Sequence, residues 1–249
     1  WRQNQPLMDS IILAGGFAKR MWPLTKNKPK QLLDVAGKPM LSHVIDSLTK
    51  ISPNRIIVSV NSFFESQFKS YLSSHDLPSI VELYVEKSSS EEEKLGALGA
   101  LDLLFKEFSI KGPVFIAGGD NLSNFNLRDM VSVFEDTKKD VIGLYDVEDI
   151  NLAKLYGIAD LKADQIVNFI EKPSTPPSTL AATAYWLLSK DGISNFLEYL
   201  NLGGDRDALG NFLAWNVKRN DVRSVSFRGT WFDIGDLSSY EDAQNWLSD

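Results

Sequence analysis

Residues 12–41 read ILAGGFAKRMWPLTKNKPKQLLDVAGKPML and join an apolar run to a loop rich in cationic side chains. The apolar run, SIILAGG (residues 10–16), is typical of a short buried strand that ends at two glycines. The cationic residues that follow it before Asp34 are Lys19, Arg20, Lys26, Lys28 and Lys30. Because the whole chain has a formal net charge of −7, this local positive charge suggests an anionic ligand.

The composition excludes several classes of protein. Of the 249 residues, 43% are hydrophobic and 24% are charged, which is typical of a soluble globular enzyme. No apolar run is long enough to span a bilayer, and the net acidity argues against a nucleic-acid binder, so neither a membrane nor a nucleic acid is an expected partner. The lack of cysteine excludes thiolate catalysis and cysteine-ligated metals and fits a cytoplasmic protein.

Strand and helix patterns alternate through the first half of the chain. Buried strands are predicted at residues 55–61, 80–85 and 113–119, with helical spacing between them. This alternation predicts an α/β fold in which helices flank a mostly parallel sheet. After residue 139 the segments VIGLYDV, GIADL, QIVNFIEKP and AATAYWLLS read as strands with little helix between them, so the sheet is expected to become mixed.

The chain shows no linker and no internal repeat. We therefore expect one domain over residues 10–249, preceded by a loose tail or cloning remnant at residues 1–9. The lack of hexapeptide repeats predicts that no C-terminal hexapeptide-repeat domain is present. A Ser/Glu-rich segment at residues 87–94 is expected to form a mobile surface loop.

The cationic loop has the composition of a polyphosphate site. Gly15 and Gly16 allow the backbone to approach an anion closely, and Arg20 and Lys30 supply a planar fork and a point charge. The sequence matches neither the Walker spacing nor the dinucleotide fingerprint. The alternative is an exposed, solvated basic loop, but the position directly after the first strand favours phosphate binding.

Two aspartates at strand ends are candidate metal ligands. Asp120, in FIAGGDNL, could bind Mg²⁺ at the carboxyl edge of a sheet, or cap a turn. Asp233, in WFDIGD, lies between bulky apolar residues and a glycine, so its carboxylate must be paired, metal-bound or exposed. A turn-forming role remains the alternative for Asp233.

A neighbouring acid and base end another predicted strand, NFIEKP. Glu171 suits sugar hydroxyls, and the Lys172 ammonium suits a phosphate. An exposed ion pair is the alternative interpretation of these two residues.

These motifs, in this order, resemble those of the sugar-phosphate nucleotidylyltransferases, which include hexose-1-phosphate thymidylyl-, uridylyl- and guanylyltransferases. The match of residues 13–41 is long and ungapped. The resemblance implies the Rossmann-like nucleotide-diphospho-sugar transferase fold. It further implies catalytic roles for Arg20 and Lys30, with the nucleotide bound by Leu13, Ala14, Gly15, Gly16, Gln31, Gly96 and Asn121.

The same resemblance assigns the second substrate and the metal. Asp120 and Asp233 are expected to bind Mg²⁺. The sugar phosphate is expected to contact Tyr156, Gly157, Glu171 and Lys172. In the strand ATAYWLL, either Tyr185 or Trp186 could face the sugar, and at least one must belong to the core.

The implied reaction transfers a nucleoside monophosphate from an NTP to a sugar 1-phosphate and releases pyrophosphate. Glucose 1-phosphate with dTTP or UTP is the preferred substrate pair, and mannose 1-phosphate with GTP is the alternative. Two other possibilities remain open: a non-catalytic nucleotide- or sugar-sensing subunit, and transfer to another acceptor such as a molybdenum cofactor or methylerythritol phosphate. A homo-oligomer is possible in this family.

Overall fold

The structure is a computed structural model that describes residues 8–246. The strands are β1 (Asp9–Leu13), β2 (Asp34–Val35), β3 (Lys38–Pro39), β4 (Ile56–Asn61), β5 (Val81–Glu86), β6 (Val114–Gly118), β7 (Asn121–Ser123), β8 (Asp140–Asp146), β9 (Gly157–Lys162), β10 (Gln165–Glu171), β11 (Leu180–Leu188), β12 (Val222–Phe227) and β13 (Trp231–Asp233). The helices are α1 (Met40–Thr49), α2 (Glu65–Ser74), α3 (Gly96–Glu107), α4 (Arg128–Thr137), α5 (Ile150–Ala153), α6 (Lys190–Asn201), α7 (Leu209–Asn216) and α8 (Leu237–Trp246).

The described chain divides into two compact units. The glycine-loop unit comprises residues 9–94, 117–124 and 229–246. The mixed-sheet unit comprises Met8 and residues 95–116 and 125–228. The tail predicted at residues 1–9 falls on residues 1–7, which lie outside the described residues, and on Met8 and Asp9. Met8 is buried, and Asp9 begins β1.

Parallel strands form the core of the glycine-loop unit. Strand β4 pairs in parallel with β1 on one side and with β5 on the other. All six residues of β4 are buried, which explains its continuous apolar run. Because parallel neighbours need a crossover, a helix precedes β4 and another follows it, as the sequence predicted. The carboxyl ends of the three strands lie together, with Asn61 opposite Glu86.

A short antiparallel pair, β7 and β13, belongs to the same unit. Its register places Asp233 opposite Asn121 and Trp231 opposite Ser123. The pair therefore joins the segment that follows β6 to a segment far along the chain. A second small antiparallel pair, β2 and β3, was not predicted. It forms at Asp34–Val35 and Lys38–Pro39, within residues 12–41.

The mixed-sheet unit contains both parallel and antiparallel strand pairs. Strand β8 is antiparallel to β11 and parallel to β12, whereas β10 is antiparallel to both β12 and β9. The predicted change to a mixed sheet after residue 139 is therefore confirmed. The helices of this unit bring an aromatic cluster together, with T-shaped contacts between Phe196 and both Phe105 and Phe212.

A buried carboxylate joins three elements of the mixed-sheet unit. Asp140, the first residue of β8, accepts hydrogen bonds from Ser189 N and Oγ before α6 and from Asn216 Nδ2 at the end of α7. Burial raises the pKa of Asp140 despite these donors. A Cβ on Gly192 would lie 2.0 Å from the carboxylate, so α6 can approach β8 only with glycine at this position.

No helix within residues 8–246 combines the length and the apolar character needed to cross a membrane.

Candidate active site

The two glycines after β1 have different surroundings. A Cβ on Gly15 would lie 2.8 Å from Glu86 Oε1, so this position requires glycine for close approach of the Glu86 side chain. Asn61 Nδ2 donates to Gly15 O at 2.9 Å and holds the turn. Gly16, in contrast, is exposed, and no atom lies within 4 Å of its Cβ position. The backbone at Gly16 is therefore open to a ligand.

Gln31 lies beside this turn with an unsatisfied polar atom. The Cβ position of Gly119 is 3.0 Å from Gln31 Cγ and 3.1 Å from Leu13 O. Gln31 is 2% exposed, and its Oε1 has no hydrogen-bond partner among the described residues. Buried polar atoms are nearly always paired, so this oxygen is a candidate ligand contact.

Lys30 is buried, unlike the other cationic residues of the loop. The Lys30 ammonium donates to Asp120 Oδ2 at 2.6 Å and to the carbonyl of Ile234 at 2.6 Å. The Lys30 side chain is 10% exposed, so the alternative of an exposed, solvated loop does not fit this residue, whereas Arg20 is exposed. A buried charge needs a partner, and the Asp120 carboxylate supplies it.

The two predicted metal ligands come together through Asn121. Asn121 Nδ2 donates to Asp120 Oδ1 at 3.1 Å and to Asp233 Oδ1 at 3.4 Å. Trp231 Nε1 in turn donates to Asn121 Oδ1 at 2.8 Å. We call Lys30, Asp120, Asn121, Trp231 and Asp233 the carboxylate–lysine cluster.

The two carboxylates of this cluster have opposite pKa shifts. Burial and the negative charge of Asp120 raise the pKa of Asp233 to about 6, although Lys30 and Arg20 oppose the shift. Burial alone would raise the pKa of Asp120, but the charge and hydrogen bond of Lys30 lower it below its ordinary value. Neighbouring acids with divergent pKa values are common at functional sites.

The carboxylate–lysine cluster supplies two of the ligands that a divalent ion needs. No group of three or more histidine, aspartate or glutamate side chains within residues 8–246 is placed to hold a metal ion, so waters or phosphates would complete the coordination of an ion bound here. Mg²⁺ is usually held by one or two carboxylates, with phosphates and waters completing the octahedron. Asp120 and Asp233 supply that number of carboxylates.

The Arg20 guanidinium lies beside the segment that carries Asp233 of the carboxylate–lysine cluster. The Cβ position of Gly235 lies 2.9 Å from Arg20 Nη2, so glycine in WFDIGD leaves room for the guanidinium. The next residue, Asp236, precedes α8 and accepts a hydrogen bond from Ser239 N at 2.9 Å. Asp236 therefore caps α8.

The Ser/Glu-rich segment lies beside the cationic loop in the glycine-loop unit. Ser89 N and Oγ both donate to Glu93 Oε2, and the Lys19 ammonium lies 3.9 Å from Glu92 Oε1. Residues of both segments line a cavity of about 230 Å³. Its aromatic walls are formed by Phe17, Trp22, Phe63 and Phe64.

The predicted sugar-phosphate residues meet in the mixed-sheet unit. Gly157 of β9 lies opposite Glu171 of β10, and Lys172 N donates to Tyr156 O at 3.0 Å. Lys172 has a φ of +45° immediately before Pro173, which is an uncommon conformation for a residue with a side chain. The hydrogen bond to Tyr156 holds this conformation, and the Lys172 side chain is exposed.

The Glu171 carboxylate is enclosed by glycines from two other elements. The Cβ position of Gly157 lies 2.8 Å from Glu171 Oε2, and that of Gly210, in the first turn of α7, lies 2.0 Å from the same oxygen. We call Gly157, Glu171 and Gly210 the Glu171 cradle. Burial raises the pKa of Glu171, and the Lys172 charge opposes that shift.

Gly96 is required by its backbone surroundings. It has a φ of +71°, and a Cβ there would lie 2.4 Å from Arg206 O. Ala97 N donates to Asp207 O, and Leu98 N and Gly99 N both donate to Arg206 O. The first turn of α3 is therefore capped by the 206–207 backbone, and the role of Gly96 in nucleotide binding stays a prediction.

The two aromatic residues of the strand segment ATAYWLL are both buried. Tyr185 and Trp186 are 1% and 2% exposed, and Trp186 Nε1 donates to Thr183 O at 3.1 Å. Both aromatic residues therefore belong to the core.

Sequence reasoning missed two polar residues beside the glycine turn. Asn61 and Glu86 are buried, and Ser59 Oγ donates to Glu86 Oε1 at 2.7 Å. Burial raises the pKa of Glu86. Asn61 ends the buried strand β4, whereas Glu86 ends β5, which is only partly buried and not the buried strand that the sequence predicted. Both positions are ends of parallel strands, where ligands of α/β sheets bind, and this was the available signal.

Comparison with known proteins identifies the family. The Nucleotidyl transferase family profile matches residues 9–249, and the chain belongs to this family. A UTP–glucose-1-phosphate uridylyltransferase of Haloferax volcanii is 31% identical over 180 residues, covering 72% of this chain and 71% of that protein. A Sulfolobus acidocaldarius protein, provisionally named as a mannose-1-phosphate guanyltransferase, is 26% identical over 92% of this chain. The chain spans only 60% of the Sulfolobus relative's length.

A solved structure confirms the predicted Rossmann-like α/β fold. It is a Bacillus anthracis protein, provisionally named as a glucose-1-phosphate thymidylyltransferase, in complex with a sucrose. The TM-score is 0.83 and the identity is 25%, over 97% of this chain and 96% of that one.

Proposed function

We propose that this chain is a magnesium-dependent sugar-1-phosphate nucleotidylyltransferase. The observation that carries the proposal is the carboxylate–lysine cluster, in which two carboxylates and a buried ammonium converge near the glycine turn. Residues 10–249 would act as one nucleotidyltransferase domain. The proposed setting is the cytoplasm, and a homo-oligomer is the proposed assembly, which light scattering of the purified protein would test.

In the proposed reaction, a phosphate oxygen of the sugar 1-phosphate attacks the α-phosphorus of the NTP. The bond from the α-phosphorus to the bridging oxygen breaks, and pyrophosphate leaves. Arg20 and Lys30 would meet the negative charge that develops on the phosphates. A Mg²⁺ ion held by Asp120 and Asp233 would supply further charge neutralisation.

Binding of the two substrates is assigned to the two units. In the glycine-loop unit, Gly16 offers open backbone and Gln31 an unpaired oxygen to the nucleotide. In the mixed-sheet unit, Glu171 would accept hydrogen bonds from sugar hydroxyls, and Lys172 would contact the sugar phosphate. The exposed Lys172 ammonium and the enclosed Glu171 carboxylate support this division of roles.

A substrate panel tests the proposal. Pyrophosphate release would be measured for the purified full chain with Mg²⁺, for each of dTTP, UTP, GTP, ATP and CTP against glucose 1-phosphate, mannose 1-phosphate and related sugar phosphates. We expect turnover with at least one pair, and first with glucose 1-phosphate and dTTP or UTP. Nucleotide binding without turnover for every pair would instead support a sensing subunit.

The position of Glu86 favours GTP as the nucleotide, as in the second candidate function, transfer of GMP to mannose 1-phosphate. Guanine presents two adjacent donors, N1–H and the 2-amino group, whereas uracil and thymine present one donor between two acceptors. A carboxylate only accepts when ionised and so matches guanine better. Glu86→Gln should then lower kcat/KM for GTP more than for UTP, and an equal effect on both nucleotides would remove this candidate.

A further inference from the structure

The side-chain amide of Asn121 is engaged at both ends inside the glycine-loop unit. Its nitrogen donates to one oxygen of Asp120 and one of Asp233, and its oxygen accepts from the indole of Trp231. Asn121 is 2% exposed and Trp231 is 8% exposed. These contacts occupy the amide within the protein, which argues against Asn121 as a direct nucleotide ligand.

The strand pair β7–β13 sets this geometry. Asn121 lies directly opposite Asp233, and Trp231 is two residues before Asp233 on the same strand. Side chains two residues apart on a strand point to the same face, so the indole and the Asp233 carboxylate reach Asn121 from one side. Asp120 is the neighbour of Asn121 in sequence.

The indole determines which way the amide faces. An asparagine amide can be turned by 180° with little change in shape, and the turned amide would direct its oxygen at two carboxylates. An indole N–H can only donate, so it pairs with the amide oxygen and leaves the NH₂ group for the acids. A reversed amide would lose the bond to Trp231 and add repulsion from Asp120 and Asp233.

We propose that Trp231 acts through Asn121 as a positioning residue that holds the two carboxylates in place for a divalent cation. This inference rests on the proposed function for its biological purpose. Asp120 and Asp233 repel one another when both are ionised, and a shared amide donor reduces that repulsion before a cation is bound. Groups that orient metal ligands typically contribute a factor of 10–100 to metal affinity.

The test is binding of Mn²⁺, alone, to the full chain, measured by electron paramagnetic resonance of the free ion. Trp231→Phe keeps the ring and removes the N–H donor, and its Kd for Mn²⁺ should rise by about 10–100-fold. The matched control is Trp186→Phe, which also loses a buried indole hydrogen bond, in that case to Thr183 O. The control should keep the wild-type Kd, even if its Tm falls.

A double-mutant cycle separates positioning from general stability. Asn121→Ala should also weaken Mn²⁺ binding, and the double variant with Trp231→Phe should be no weaker than Asn121→Ala alone, because the indole acts through the amide. Additive losses in the double variant, or an unchanged Kd in Asn121→Ala, would overturn the proposal. Asn121→Ala retains Trp231 and therefore remains informative if Trp231→Phe does not fold.

The Mn²⁺-binding test and the substrate panel can fail independently of each other. Turnover by an enzyme whose Asn121 and Trp231 variants bind Mn²⁺ normally would remove the positioning role and leave the proposed function intact. Weakened Mn²⁺ binding in a chain that turns over no substrate pair would support the positioning role and remove the proposed function.

Discussion

The carboxylate–lysine cluster and the Glu171 cradle arrange their charges in different ways. In the cluster, charged groups already contact each other, and Lys30, Asp120 and Asp233 each have a partner. In the cradle, a carboxylate is confined because two neighbouring positions carry no side chain. The cluster therefore depends on electrostatic pairing, and the cradle depends on shape. Substitutions that remove charge and substitutions that add volume should separate the two regions.

The largest effect is expected for the acids of the cluster. Asp120→Asn and Asp233→Asn should each abolish most turnover, because each removes a proposed Mg²⁺ ligand. The double variant should be scarcely worse than either single variant, since residues that act as one unit are not additive. Pyrophosphate release measures this effect. Independent, multiplying losses would mean that the two acids do not share a site.

The next largest effect is expected for Lys30→Ala. Turnover should fall by about 10²–10³-fold through lost stabilisation of phosphate charge. The free energy of unfolding should also fall, because Asp120 would lose its buried partner. Lys28→Ala is the matched control, since Lys28 is an exposed lysine of the same loop. Equal losses in the two variants would show that the loop acts only by its total charge.

A smaller and more selective effect is expected for Gly210→Ala. Alanine is a better helix former than glycine by about 1 kcal/mol, which offsets part of the steric cost in α7. The added Cβ would nevertheless displace the Glu171 carboxylate, so KM for the sugar 1-phosphate should rise about tenfold or more, with little change for the NTP. Gly112→Ala, in the same unit, adds a Cβ with no atom within 4 Å and should leave both KM values unchanged. A matching rise in both KM values for Gly210→Ala would contradict a cradle that serves only the sugar phosphate.

The smallest effect is expected in the pH dependence of stability. Burial raises the pKa of Glu171 in the folded state, so folding disfavours its ionised form. The contribution of Glu171 to stability is thus fully present below the unfolded pKa and is lost as the pH rises through the raised folded pKa. The unfolding free energy of Glu171→Gln minus that of the wild type should therefore be larger at about pH 8 than at about pH 4. Urea unfolding at both pH values measures this difference. An equal difference at the two pH values would mean that burial does not disfavour the ionised form of Glu171.

The sequence motifs predicted most of the fold and part of the candidate active site. The strand pattern and the glycine turn were readable because a buried parallel strand and its terminal glycines are local features. Lys30, Asp120 and Asp233 were found by their motifs, but the burial of Lys30 was not. Burial depends on Asp120 and Ile234, which lie 90 and 204 residues away in sequence.

Other parts of the site could not be read from the sequence at all. The Glu171 cradle depends on Gly210 approaching β10, and nothing near Gly210 in the sequence marks it as different from a glycine in an ordinary helix. The bond from Trp231 to Asn121 depends on the register of two three-residue strands, which are too short to give a periodic signal. Asn61 and Glu86 had a positional signal, the ends of parallel strands, that the sequence motifs did not use.

Strand β1 does not lead directly into an α-helix. Among residues 8–246, the first α-helix of the chain begins at Met40, and only short 3-10 turns and the β2–β3 pair come before it. Where a phosphate sits on a helix N-terminus, the positive end is built from backbone N–H groups, which substitutions other than proline leave in place. Here the proposed phosphate site relies on side chains such as Arg20 and Lys30, each encoded by a single codon. Natural variation or directed evolution can therefore retune the charge of this pocket one residue at a time while the backbone stays as it is.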